Sequence, residues 1–249
     1  MIDLHCHLDL YPHPEDVVAR AVAEGIYVLA VTTTPRSWHG TTSLVSSAQR
    51  MRVAVGLHPE LVADRHQEVD LLCELLPHTR YVGEVGLDGS LRHRSTLAQQ
   101  RKVLDRILDA CAARGGRIIS LHSRGATTPL LDALQEHPAA GTPVLHWFSG
   151  TRRELERAID CGCWFSVGLG MLAGNKGRQI ATAMPRDRVL TETDGPFASK
   201  GKVPLMPWDV KDAERELAKM WGLSAQQTET ALLSNLRRLV TGRDAVLGT

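Results

Sequence analysis

Chemistry is written into the first strand-like run of the chain, where His5 and His7 flank Cys6 in Asp3-Leu-His-Cys-His-Leu-Asp9. On a β-strand, side chains two apart face the same way, so the two imidazoles share one face and Cys6 takes the other. A single strand histidine is most often an ordinary core residue. Two of them buried side by side without partners are costly, and a divalent cation removes that cost. Similar residues recur further along. Glu84 lies in Gly-Glu-Val-Gly-Leu-Asp, His122 in Leu-His-Ser-Arg, His146 in His-Trp-Phe-Ser-Gly and Asp194 in Glu-Thr-Asp-Gly-Pro. Together these residues supply the nitrogen and oxygen ligands that a pair of divalent ions needs, with Glu84 able to bridge them. Such a mixed set accepts Mg, Mn, Zn, Fe or Ni, so it leaves the identity of the ions open. The chemistry expected is activation of water for hydrolysis, with Glu84 and Asp194 as catalytic carboxylates and Asp194 as acceptor of the water proton.

Distant residues need a scaffold that gathers them. Short β-rich runs are expected near Ile2 to Leu8, Ile26 to Thr33, Arg52 to Leu57, Arg80 to Val85, Arg117 to Leu121, Thr142 to His146, Cys163 to Val167 and Arg188 to Glu192. Between them run segments of helical period. Val17, Val18, Ala21 and Val22 form one apolar stripe, and Leu104, Ile107, Leu108 and Cys111 another. Ala213, Leu217, Met220 and Trp221, then Ala231, Leu232 and Leu236 to Val240, continue the helical pattern after the last strand. Strand and helix taking turns eight times is the arithmetic of a (β/α)8 TIM barrel, expected as a single domain over residues 1–249. The candidate ligands then fall at the strand C-termini, where such barrels carry their sites. No Gly-x-Gly-x-x-Gly follows the first strand, which argues against an open dinucleotide-binding sheet.

Composition excludes other classes. Lys plus Arg number 29 against 28 Asp plus Glu, a formal charge of +1, so a polyanion must be gripped locally rather than by a global field. The apolar runs are too short to span a bilayer and the opening residues lack an export-signal pattern, so a cytoplasmic protein with no membrane partner is expected. Five cysteines without a Cys-x-x-Cys point to a reducing compartment, and Cys161-x-Cys163 to ordinary packing.

Six ordered motifs carry a resemblance to a known family: Asp-Leu-His-Cys-His-Leu-Asp, Gly56-Leu-His-Pro59, Gly-Glu-Val-Gly-Leu-Asp, Leu-His-Ser-Arg-Gly-Ala, His-Trp-Phe-Ser-Gly and Thr-Glu-Thr-Asp-Gly-Pro. In this order they resemble the TatD family of metal-dependent hydrolases and deoxyribonucleases, from Ile2 to Ser-Asn-Leu-Arg-Arg-Leu-Val at 234–240. The resemblance implies a TIM barrel of the metallo-dependent hydrolase type. It also implies two ions, one held by His5, His7, Glu84 and Asp194, the other by Glu84, His122 and His146. The implied activity is 3'-5' exonuclease-like trimming of single-stranded DNA ends. Three positions depart from the family pattern: Glu60 where a second histidine is usual, Gly89 where an aromatic is frequent, and Gly125 where an acid is frequent. These departures faintly resemble the TatD-like component of a bacterial anti-phage gene cluster, the Qat system, which would imply antiviral defence and protein partners in a defence complex.

Substrate contacts are expected on the same rim: Arg124 beside His122, Lys200 and Lys202 in the loop after strand eight, and His58 in the Gly-Leu-His-Pro motif. Trp38, in the loop after strand two, is the expected base-stacking residue. The Gly-rich stretch Gly168 to Gly177 is expected to be a mobile flap. Two other functions fit the same ligands: an amide or ester hydrolase, such as a deacylase of misacylated tRNA, and a weakly active scaffold subunit. Many amidohydrolases bridge their metals with a modified lysine at the end of strand four, and Glu84 in that place favours the TatD-like reading.

Overall fold

The computed structural model describes residues 1–242, and its barrel strands run β1 (Ile2–Cys6), β2 (Tyr27–Val31), β3 (Met51–Ala54), β4 (Tyr81–Gly86), β5 (Arg117–His122), β6 (Gly141–His146), β7 (Trp164–Val167) and β8 (Val189–Thr191), with a short antiparallel pair, Ser199–Lys200 and Val203–Pro204, outside the barrel. Each barrel strand lies within a residue or two of its expected place, except that β1 to β3 end earlier, giving way to the loops that carry His7, Thr32 and His58. The barrel strands all pair in parallel, in the orders β1-β2-β3 and β4-β5-β6-β7-β8. A bridge between Val55 and Val82 joins the two groups. Beyond the end of β3, β2 and β4 meet directly: the Glu84 N–H donates to the Thr32 carbonyl at 3.1 Å. Gly56 permits this approach, because a Cβ there would stand 2.0 Å from the Thr32 oxygen and 2.4 Å from the Glu84 nitrogen.

The last strand closes on the first. Thr191 Oγ1 donates to the Ile2 carbonyl at 2.5 Å, and the Asp194 N–H donates to the His5 carbonyl at 2.9 Å. The Asp3 carboxylate, fully buried, accepts from Thr193 N–H at 2.9 Å and Thr193 Oγ1 at 2.6 Å. Burial pushes the Asp3 carboxyl up to about 7, the bonds from Thr193 opposing it. The cylinder is therefore complete, as a (β/α)8 barrel requires. The domain expected over 1–249 also takes in residues 243–249, which lie outside the described ones.

Helices cover the cylinder with the apolar stripes that the periodicity predicts. In Leu97–Ala112 the residues Leu104, Ile107, Leu108 and Cys111 are all buried. In Pro14–Ala23 the stripe is narrower than expected, because Val17, Val18 and Ala21 are buried while Val22 is half exposed. The flap expected over Gly168 to Gly177 is a pair of helices instead, Leu169–Ala173 and the first turn of Asn175–Ala183. Met171 and Leu172 anchor that segment in the core, which outweighs its glycines.

Replacing Thr193 by valine keeps the side-chain shape but leaves one Asp3 oxygen buried without its donor. We expect a loss of about 1–3 kcal/mol in urea unfolding of the metal-free protein. An unchanged midpoint would show that the β1–β8 seam does not depend on this pair.

Candidate metal centre

β4 ends by directing Glu84 into the mouth of the barrel, where the carboxylate is buried and its two oxygens face different neighbours. Oε2 lies 3.3 Å from His5 Nε2 and 3.4 Å from His7 Nε2. Oε1 lies 2.8 Å from His122 Nδ1, 3.0 Å from His146 Nε2 and 3.1 Å from His58 Nε2. Asp194 approaches on the first side, its Oδ1 being 3.6 Å from His7 Nε2 and 3.8 Å from His5 Nε2. Strand parity places His5 and His7 here from β1 and the turn after it, as their spacing predicts. The His5 and His146 rings stack with centroids 3.9 Å apart.

An outer set of polar groups fixes these rings. His5 Nδ1 lies 2.8 Å from Ser120 Oγ, and His122 Nε2 lies 2.7 Å from Asp88 Oδ2. His146 Nδ1 lies 3.7 Å from Glu192 Oε2. Buried Glu192 also accepts the Trp147 N–H at 2.9 Å and the Ser166 hydroxyl. A hydrogen-bonded carboxylate–histidine pair such as His122–Asp88 sets the tautomer and orientation of a ring that binds metal. Two residues are bent into the left-handed region to fit, Trp147 at φ 40° and Asp194 at φ 56°. Conformations of that kind persist only where surrounding bonds hold them. Here the Trp147 N–H is held by Glu192 and the Asp194 N–H by the His5 carbonyl.

Charge is strongly biased by this packing. Burial alone would raise the Glu84 carboxyl, but the imidazoles of His58, His146, His5 and His122 hold it well below the usual range. Asp194 is likewise held down against burial, chiefly by His7. Burial, aided by His146, lowers His5 to about 4, so its ring is neutral. His7 goes the other way: against burial, Asp194 and Glu84 raise it to about 9. His146 is also raised against burial, by Glu84 and then Glu192.

The donor set fits divalent cations on grounds independent of these shifts. Both His7 nitrogens and His146 Nδ1 are buried without a hydrogen-bond partner. Each such orphan costs about 1–3 kcal/mol unless something pairs with it. Three overlapping groups bring their nitrogen and oxygen atoms within 4.8 Å of one another: His5, His7 and Glu84; His5, His146 and Glu192; and His58, Glu84 and His122.

The structure sorts the expected substrate contacts. His58 Nδ1 accepts the Glu60 N–H at 3.2 Å, so the neutral ring carries its proton on Nε2 and points a donor at Glu84. Arg124 is exposed and lines a cleft of about 390 Å³ together with His122, His146, Trp147 and Asp194. Lys202 is exposed, and Lys200 is drawn to Asp212 at 3.0 Å. Trp38 requires a correction. The chain turns into the helix Trp38–Leu44 at that residue, and the indole is only 7% exposed, packed against His39 and His78, so neither face is open to a base. Sequence reasoning also passed over Asp88, Ser120, Glu192 and Asp3. Asp88 and Glu192 sit inside the quoted motifs, but only the fold shows which histidine each one faces. The departures at Gly89 and Gly125 explain each other. The Gly89 N–H donates to the Arg124 carbonyl at 2.8 Å, and a Cβ on Gly89 would stand 2.3 Å from the Gly125 oxygen.

Comparison with known proteins adds a family. Residues 2–241 match the family model described as TatD related DNase. Over 256 aligned residues the chain is 27% identical to the uncharacterized metal-dependent hydrolase YcfH of Escherichia coli K12, covering 96% of this chain and 95% of that protein. It is 31% identical over 203 residues to the 3'-5' ssDNA/RNA exonuclease TatD of Citrobacter rodentium, covering 74% and 72%. The crystal structure of YjjV, a TatD homolog from Escherichia coli K12, superposes with a TM-score of 0.86 at 26% identity, covering 96% of this chain and 97% of that one.

A metal takes only the neutral imidazole, whereas His7, at about 9, carries a proton at pH 7 and His146 is shifted the same way. Uptake of Mn²⁺ or Zn²⁺ at pH 7 should therefore release protons, and affinity should climb as pH rises toward 9. Calorimetry in two buffers of different ionisation enthalpy reads this directly. Equal heats in both, with affinity independent of pH, would contradict it.

Proposed function

This chain belongs to the TatD-related DNase family, whose members are metal-dependent hydrolases, and on that premise we propose that it is a two-cation deoxyribonuclease trimming single-stranded ends in the 3'-5' direction. The observation that carries the reading is the division of Glu84, one oxygen toward His5 and His7 and the other toward His122 and His146. In this reading His5, His7, Glu84 and Asp194 would hold one divalent ion, and Glu84, His122 and His146 the other. When bound, such ions lower the pKa of water toward neutrality and polarise a phosphoryl oxygen.

The remaining work falls to the protein. Asp194, ionised at neutral pH because His7 holds its carboxyl down against burial, accepts the proton of the attacking water. Asp194 lines the cleft, and its N–H is bonded to the His5 carbonyl, which holds its backbone in place during the transfer. His58, its Nε2–H directed at Glu84, holds that carboxylate beside the bound phosphate. Arg124 offers a forked pair of donors to the same or the next phosphate. Asp88, bonded to His122, keeps that ring in register. These contacts engage the backbone of the substrate and are indifferent to its sequence. Because the chain carries almost no net charge, affinity rests on those few local contacts and falls with salt.

The test uses a 5'-labelled single-stranded DNA with Mn²⁺ or Mg²⁺. The wild-type protein should produce a ladder shortening from the 3' end that stops on chelation. Asp194→Asn should lower kcat by about 10²- to 10⁴-fold while keeping its unfolding transition. Chelator-sensitive hydrolysis of an ester without any nucleic-acid product would overturn the reading in favour of a deacylase. Wild-type kcat in a metal-loaded Asp194→Asn variant would remove the assigned role of Asp194.

A further inference from the structure

Of the large apolar side chains exposed among the described residues, Leu10, Val22, Leu91, Phe197 and Val203, the single aromatic is Phe197, with 63% of its surface open to solvent. It stands three residues after Asp194, and its ring and that of His7 form a T-shaped pair, with centroids 4.9 Å apart and planes at 79°. Its position belongs to the rim of the cluster rather than to a distant surface.

The loop that carries it is fixed on every side. The His7 N–H donates to the Gly195 carbonyl at 2.8 Å, and the Ala198 N–H to the Asp194 carbonyl at 2.9 Å. The Leu205 N–H donates to the Ala198 carbonyl at 2.8 Å, and Tyr11 Oη to the Leu205 carbonyl at 2.5 Å. Gly195 seats the turn where no side chain fits, since a Cβ would stand 2.1 Å from the Tyr11 hydroxyl and 2.3 Å from the Leu205 oxygen. A phenyl ring on a held loop cannot fold back into the core, although burial would favour it. It is thus presented at the rim beside His7, with most of its surface open to solvent. The tryptophans nearest the cluster are less open than Phe197. Trp38 is buried, and the Trp147 ring is packed against Gly170, where a Cβ would stand 2.5 Å from it.

We propose that Phe197 is the stacking platform for the nucleobase next to the phosphodiester held at the Glu84–Asp194 cluster. This deepens the nuclease reading and rests on it. A nucleotide gripped there by its phosphate has its base one sugar away, and every base has a π-face, so stacking holds a terminal nucleotide without reading its sequence. A base spread on Phe197 is not paired, which makes an unpaired end the preferred substrate class. Stacking of this kind is worth about 5- to 150-fold in affinity per base.

The experiment compares two synthetic single-stranded oligonucleotides, identical except that one is abasic at the terminal nucleotide, with wild-type, Phe197→Ala and Phe197→Trp enzymes loaded with Mn²⁺. Phe197→Ala should raise KM about tenfold more for the base-bearing substrate than for the abasic one, with a smaller change in kcat, and Phe197→Trp should restore the difference. The emission that Phe197→Trp adds over the wild type should be quenched by the base-bearing oligonucleotide and not by the abasic one. Equal losses on both substrates would mark Phe197 as merely structural and overturn the proposal, while leaving the nuclease standing. Absence of cleavage by the wild-type enzyme would instead sink the nuclease reading, and quenching specific to the base would still support stacking.

Discussion

A carboxylate withdrawn from water and ringed by imidazoles is the constraint on which the rest of this molecule depends. Glu84 is buried at the end of β4 with five histidines around it, and neither oxygen can return to solvent. Charges in such a place are tolerated only when they are paired and hydrogen-bonded on all sides. The pairing requires groups from β1, β5, β6 and the segment after β3 to stand within about one hydrogen-bond length, and no local structure can supply that. The barrel does so because parallel strands deliver all their C-termini to one rim.

Closing the cylinder does more than seal the core. The β1–β8 seam, made by Asp3 with Thr193 and by His5 with Asp194, ties the earliest candidate ligands to the latest. Asp194 in that seam, and Trp147 just after β6, adopt left-handed backbone. Left-handed backbone at Trp147 and Asp194 and the unpartnered nitrogens of His7 and His146 thus lie together at the cluster, while the apolar helices outside supply the stability that holds them there.

Much of this could be read before the fold was known, and the residues show why. His5 and His7 announce a shared face through period-two spacing, and Leu104, Ile107, Leu108 and Cys111 announce a helix through their own period; both are local signals. Trp38 misled because nothing local shows that the chain turns into a helix at that residue and carries the indole under the surface. Glu192 and Asp88 were visible as letters in motifs, but their partners His146 and His122 lie 46 and 34 positions away and are fixed by strand register. The approach of Gly89 to Gly125 is of the same non-local kind, as is the exposure of Phe197.

The central claim is that Glu84 joins two ion-binding groups through its two oxygens. Equilibrium dialysis against Mn²⁺ or Zn²⁺ followed by elemental analysis tests it most directly, with wild-type protein beside a Glu84→Gln variant of unchanged circular dichroism. The account predicts two ions per wild-type chain and weakened retention of both in the variant. A single ion in the wild type, or an undiminished pair in the variant, would contradict it.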